Sequence, residues 1–300
     1  MGTAVSKVQM KLYLLKLLRP QQWYKNLLIF LPLIFVGKLF DLTALASITA
    51  GFFVLCGVSS ANYIINDIRD RASDKKHPEK KFRPVASGKV SVPLAIVVAL
   101  LLLTVSGAYA FTRGPLFLGA VLFLFAFTLV YTFFLKERLY LDILSIATNF
   151  VVRAVAGTFL INVKISPWLV LCTFFLSLYL SAGKRHAEVL YLGEQAGDVR
   201  STFKYYTKEL TTSLLTISTT LLIVSYSLYS FLSEHKNLLV TLPFALYVIF
   251  IYYSHIIAGD KIARHPEHVF TDYRMVIGMI LWGILSIVLL YNPSLTTIFN

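Results

Sequence analysis

The chain has 300 residues, of which 57% are hydrophobic and only 14% charged, more apolar surface than a soluble domain of that length can bury or expose, so a polytopic membrane protein is what remains. The formal net charge of +13 would suit a nucleic-acid binder. Lysine and arginine instead alternate with loop position as the positive-inside rule expects, so no nucleic acid is implied and the basic excess is topological, with phosphate ligands among it.

Residues 1–19 set Lys7, Lys11, Lys16 and Arg19 among Val8, Leu12, Leu15 and Leu18, which is too interrupted for a signal-peptide core and patterned for an amphipathic helix lying on the membrane surface. The N-terminus is expected in the cytoplasm. Arg19-Pro20 breaks that helix, and Trp23 with Lys25 anchors a short first span running to about residue 40. A second span begins near Thr43 and runs into Asn66–Asp74, which reads N-D-I-R-D-R-A-S-D. Helical spacing places Asp67, Asp70 and Asp74 on one face, with Asn66 one turn before Asp70. Three carboxylates crowded in this way repel one another and call for a hard cation, most simply Mg2+, bridging them to substrate phosphates. The plain alternative is a solvated acidic patch. Against it, the same stripe continues upstream through Ser59 and Asn62 into the apolar span, where polar groups must line a cavity rather than face lipid.

The following loop, to about Val90, holds Arg69, Arg71, Lys75, Lys76, Lys80, Lys81, Arg83 and Lys89 with turn signals at His77-Pro78, Arg83-Pro84 and Ser87-Gly88, and it is expected on the cytoplasmic side. Spans at about 92–112 and 115–135 are joined at Arg113-Gly114-Pro115. The basic link Lys136-Glu137-Arg138 then leads into a fifth span, about 139–162. In that span Asp142, Asn149 and Arg153 share one stripe with Ser145 and Ala156, which predicts an Asp142–Arg153 pair inside the membrane. Such a pair is functional or, as the plain alternative, a salt bridge that locks helices together. The sixth span is expected from Pro167 to Gly183, delivering Lys184-Arg185-His186-Ala187-Glu188 to a cytoplasmic segment that reaches about residue 208. Ser177 and Ser181 carry that face into the membrane. Spans at about 211–232, 238–257 and 275–291 follow, with Glu234-His235-Lys236 outside and Asp260–Arg274 inside. The reading is all-α, about nine transmembrane helices with an extracytoplasmic C-terminus.

Cys56 and Cys172 lie within apolar spans and read as small core residues. His77, His186 and His255 have no metal-ligand spacing and read as structural or interfacial. Most of the 17 tyrosines are anchors or packing, Tyr131 being a weaker site candidate than Lys136.

Two motifs together, N-D-x-x-D-x-x-x-D at Asn66–Asp74 and R-P-V-A-S-G at Arg83–Gly88, resemble the UbiA superfamily of intramembrane prenyltransferases. Within it, R-P-Q-Q-W-Y-K-N at Arg19–Asn26, Y-T-F-F-L-K at Tyr131–Lys136, K-R-H-A-E at Lys184–Glu188 and P-E-H-V-F-T-D-Y-R at Pro266–Arg274 resemble the decaprenyl-phosphate phosphoribosyltransferase branch. The resemblance covers nearly the whole chain. It implies one domain over 1–300, multi-pass in the inner (plasma) membrane, with nine helices around a cytoplasm-facing cavity and active-site loops at 66–90 and 184–208. It implies transfer of 5-phosphoribose from phosphoribosyl diphosphate (PRPP) to a polyprenyl phosphate, with release of diphosphate.

Where wider prenyltransferases carry a second aspartate-rich motif, this chain has Lys184, Arg185 and Glu188. Cations there suit direct binding of the 5-phosphate that PRPP has and a prenyl donor lacks. In this reading Asp67, Asp70 and Asp74 hold Mg2+ with Asn66 in support, and Arg83 and Lys136 neutralise the departing diphosphate. Arg153, oriented by Asp142, steers a phosphate, while Tyr131 and Asn149 complete the substrate-binding set. A prenyltransferase acting on an aromatic acceptor shares the metal motif and apolar cavity but has no use for Lys184-Arg185. A lipid or ion transporter could use Asp142 and Arg153, yet the chain lacks a matched pair of interrupted helices. Homo-oligomerisation is left open.

Overall fold

The structure, a computed structural model, describes residues 7–75, 80–193, 201–232 and 236–292. His77, Glu234 and His235 lie outside the described residues, as do the last residues of the chain. Among those described there are helices and turns and no strand. Helix α1 spans Lys7–Leu18, a 3-10 stretch Pro20–Phe30 leads into α2, Leu31–Phe35, and α3 runs Leu42–Arg69 with α4, Arg71–Asp74, behind it. Then come α5 (Val92–Thr112), α6 (Pro115–Val130), a π turn (Tyr131–Leu135), α7 (Leu141–Leu160) and α8 (Pro167–Leu192). The remainder is α9 (Lys208–Leu232), α10 (Leu242–Ala258), α11 (Lys261–Arg264) and α12 (Tyr273–Tyr291). Eight of these stretches are long and apolar enough to cross a membrane.

The expected ninth span is instead the broken segment 20–35. Prolines at 20 and 32 explain it, since Pro32 cannot donate to residue 28 and its ring crowds that carbonyl. The segment lies directly on α7. A Cβ at Gly157 would sit 2.2 Å from the Ile29 carbonyl oxygen, so only glycine lets these two backbones approach so closely.

The helix starts follow from capping. The Asp41 carboxylate accepts from the Thr43 and Ala44 amides at 2.9 and 3.0 Å, which begins α3, and Ser91 and Asp272 serve α5 and α12 in the same way. The two largest apolar cores lie on opposite sides of the bundle's helix order. One joins Ile29 and Leu33 to Ile48 and Leu55 of α3 and to Phe117, Val121 and Leu124 of α6. The other joins Tyr179 and Ala187 of α8 to Leu215, Ile256 and Met275 of α9, α10 and α12. Helix α1 lays Tyr13, Leu14 and Leu17 on Ala61, Ile64, Ala95 and Ala99 of α3 and α5 and leaves Val8, Leu12 and Leu15 exposed.

The sixth span is longer than the sequence suggested. It continues past Gly183 to Leu192 and stops at Gly193, φ 53°, because residues 184–192 contain no breaker and Ala187 packs into the second core. Lys184–Glu188 is therefore a helical turn, not a loop. Its interior face carries Ser177, Ser181 and Arg185, all buried, as are Ser59, Asn62 and Asp67 on α3 and Ser145, Asn149 and Arg153 on α7.

Candidate active site

At the charged end of the bundle α3 stops at Arg69, and Asp70 (φ −86°, ψ 5°) links it to α4. This break divides the predicted carboxylate stripe. Asp67 and Asp74 are buried, 1% and 3% exposed, and turn to one guanidinium: Arg83 donates to Asp67 at 3.2 Å and to Asp74 at 2.7 Å. Asp70 turns to Lys136, whose ammonium lies 3.1 Å and 3.3 Å from its two oxygens. A three-carboxylate cage is accordingly not preassembled, and no group of three or more metal-ligating side chains occurs among the described residues.

Each cation is delivered by identifiable local structure. Arg83 heads a hook whose Ser87 amide returns to the Arg83 carbonyl and whose Val90 amide returns to the Pro84 carbonyl. The fully buried Val85 pins that hook into the α1–α3–α5 core. Lys136 follows the π turn, closed by its own amide to the Tyr131 carbonyl at 2.9 Å. Arg19 was missed by sequence reasoning, which used it only as a helix end and motif letter. Its backbone is left-handed at φ 51°, unusual for a non-glycine residue, and this throws its guanidinium across the Tyr63 ring, 5.1 Å from the centroid, onto Asp67. The signal available was the arginine immediately before the proline that breaks the helix.

Three carboxylates and three cations thus meet at this end. The donor set still fits a divalent cation. Asp67 Oδ2 is buried without a hydrogen-bond partner, a costly state that a metal ion would relieve, and Mg2+ is usually held by one or two carboxylates together with substrate phosphates and water.

The predicted Asp142–Arg153 pair does not form. Asp142, fully buried, accepts from Arg185 Nε at 2.9 Å and from the Tyr206 hydroxyl, and Arg185 also bonds Glu188. Burial, and then Asp142 beside it, pushes the Tyr206 phenol well up, so Tyr206 stays a neutral donor. Helical spacing correctly placed Asp142 and Arg153 on one stripe, but they sit eleven residues apart, roughly 16 Å along an α-helix, and α8 offers a nearer cation. Arg185 is consequently occupied by two carboxylates in this structure. Lys184, side chain 38% exposed and 4.0 Å from Glu188, stays accessible.

Arg153 lies deeper. Its Nε donates to Asn26 Oδ1 at 2.8 Å and its Nη1 to the Asn149 carbonyl at 2.7 Å. Asn26 in turn donates to Cys56 Sγ at 3.3 Å and accepts from Ser59 at 3.3 Å. Ser59 precedes Asp67 by about 12 Å of helix. Arg153 thus ties the broken segment to α3 and α7 and is not brought to the carboxylates. Asn149 shares this cluster, its side chain accepting from Thr128 at 3.3 Å.

Asn66 contributes the carbonyl that receives the Asp70 amide at 2.9 Å. From the last turn of α10, His255 bridges Asp260 and Asp272 of the 259–272 connection through its two ring nitrogens, and Arg274 holds the Asp272 carboxyl far below the usual carboxylate range. That connection is tied by its own caps, and His186 is bonded to Thr211 at 2.9 Å, so both histidines are engaged within the fold.

The UbiA prenyltransferase family matches residues 28–284. The chain belongs to that family. It is 36% identical over 234 residues to the decaprenyl-phosphate phosphoribosyltransferase of Mycolicibacterium smegmatis, covering 76% of this chain and 73% of that one. It is 34% identical over 221 residues to the enzyme of the same name from Mycobacterium tuberculosis, covering 72% and 73%. A UbiA homologue from Archaeoglobus fulgidus bound to GPP and Mg2+ superposes with a TM-score of 0.70 at 20% identity, over 95% of this chain and 100% of that one. At that identity the likeness speaks for the fold. This UbiA member is therefore an α-helical, multi-pass membrane transferase, and its carboxylate end corresponds to the first acidic motif by which the sequence resembled the family.

Proposed function

We propose that the protein transfers 5-phosphoribose from PRPP to a polyprenyl phosphate in an Mg2+-dependent reaction that releases diphosphate at the cytoplasmic face. What supports this most is the kinship to two enzymes of that name over about three quarters of their length, joined to a charged end where three cations surround three carboxylates. Asp67 and Asp74, with Asp70 and Asn66 beside them, would hold Mg2+, which lends charge stabilisation to the leaving diphosphate.

The remaining chemistry belongs to the chain. Arg83, Lys136 and Arg19 neutralise the negative charge that grows as the C1–oxygen bond to diphosphate breaks. An oxygen of the lipid phosphate forms the new bond to C1. That phosphate is already anionic near neutral pH, so no strong general base is needed. Lys184 meets the 5-phosphate, and Tyr131 borders the ring site. Arg185 keeps Asp142 and Tyr206 in place, and Arg153 with Asn149 forms the polar floor beneath. The lipid chain lies along apolar walls.

The test is direct. Membranes containing the protein, given Mg2+, labelled PRPP and a polyprenyl phosphate, yield a chloroform-soluble labelled product, and chelation abolishes it. Prenylation of an aromatic acceptor from a prenyl diphosphate, with no lipid-linked phosphoribose formed, would assign the protein to prenyl transfer instead.

A further inference from the structure

Two helix ends at the charged face hold each other reciprocally, and only one half of that clasp belongs to the site as described. Lys136, just past the π turn that ends α6, reaches Asp70, just past the end of α3, with 3.1 Å to one oxygen and 3.3 Å to the other. In return Arg69, the last residue of α3, donates to the carbonyl of Thr132 inside the π turn, and its guanidinium lies 4.8 Å from the centre of the Phe133 ring. The last carbonyls of a helix have no partner within it, and here a cation from the neighbouring helix supplies one. The π turn is the part that needs fixing. Its hydrogen bond spans one more residue than that of an α-helix, Lys136 amide to Tyr131 carbonyl, and the extra residue swings every following side chain by about 100° relative to a regular continuation.

We propose that Arg69 is a positioning residue for the transfer reaction: by capping Thr132 and lying on Phe133 it fixes the π turn and so holds the Lys136 ammonium on Asp70, beside the leaving group. This rests on the reading of Lys136 given above. Arg69 touches none of the reacting atoms. Its effect runs through Lys136, and a misplacement of about 1 Å at a reacting group can cost on the order of 100-fold in rate.

The decisive experiment is a double-mutant cycle on the purified full-length protein in lipid nanodiscs, assayed with labelled PRPP and a polyprenyl phosphate. Arg69→Ala is expected to lower kcat by roughly 10- to 100-fold with the KM for the lipid unchanged. Arg69→Lys, which keeps a cation for the carbonyl, is expected to recover part of that loss. In a Lys136→Met background Arg69→Ala is expected to change nothing further. Multiplicative effects of Arg69→Ala and Lys136→Met would overturn the proposal, as would a wild-type kcat in Arg69→Ala.

A second readout does not depend on turnover. After reductive methylation with 13C, the dimethyl-lysine resonance of Lys136, assigned by its loss in Lys136→Arg, is expected to shift in Arg69→Ala as it does in Asp70→Asn. An unmoved resonance would sink the inference. If the wild type transferred no phosphoribose while that resonance shifted as expected, the reading of function would fail and the clasp would stand.

Discussion

Asp67 is the most exposed to consequence of the site residues because it is buried, bonded by two arginines and still short of a partner at Oδ2. Asp67→Asn and Asp74→Asn are expected to lower transfer by about 100-fold or more, and chiefly by raising the Mg2+ concentration needed. Asp70→Asn should cut kcat with a smaller change in Mg2+ dependence, since Asp70 is engaged by Lys136. A titration of activity against Mg2+ separates the two outcomes, with melting curves confirming that all three variants fold. Arg153 behaves differently. It ties Asn26 to Asn149 without touching a carboxylate, so Arg153→Met removes two buried hydrogen bonds that link the broken segment to α7. Losing these bonds to a charged group costs on the order of 2 kcal/mol, which lowers the melting temperature by roughly 5 °C, with the KM for PRPP in the surviving protein close to wild type. A large rise in that KM without loss of stability would instead put Arg153 on the substrate.

At the scale of elements, the spans over 92–112 and 115–135 were legible to the residue, because apolar length and Pro or Gly punctuation decide both ends of a membrane helix. Three things were not. The first span reads as apolar and helical, yet its two prolines and the close approach at Gly157 make it a 3-10 stretch lying on α7. The end of α8 was placed at Gly183, a glycine that serves contact, since its Cβ would meet Ile256 at 2.3 Å, and not termination. The partner of Asp142 was read from its own helix, whereas the nearer cation came from the next one. Periodicity reports which residues share a face and is silent about what packs against it. Gly157→Ala therefore carries an expectation the sequence alone could not motivate. The added methyl drives the 20–30 stretch off α7, carries Asn26 and Arg19 with it, and lowers both stability and kcat. Wild-type melting and turnover in that variant would show that the contact is slack.

Across the whole molecule, the charged end presents two polar centres of different character. Around Asp67, Asp70 and Asp74 the cations are shared with carboxylates that a metal and a diphosphate would reorganise. Around Asp142 the charges are already matched, Arg185 lying between Asp142 and Glu188, and Lys184 alone of the Lys184-Arg185 pair is exposed enough to meet a second phosphate. A small donor charged at both ends needs both centres, while a lipid phosphate, with its chain in the apolar walls, needs one. Lys184→Ala is accordingly expected to raise the KM for PRPP by roughly tenfold, the worth of one charge-assisted contact, while leaving the KM for the lipid and the melting temperature near wild type. Arg185→Ala should do the opposite. It strands Asp142, fully buried beside Tyr206, so the protein loses stability on the order of 3–5 kcal/mol before any change in donor affinity can be read. Replacing Asp142 together with Arg185, as Asp142→Asn with Arg185→Gln, removes the stranded charge and is expected to restore much of that stability without raising the KM for PRPP. Steady-state kinetics in both substrates, set beside melting curves of the four proteins, decide the matter: a larger KM effect from Arg185 than from Lys184 in proteins of equal stability would return the second phosphate to Arg185.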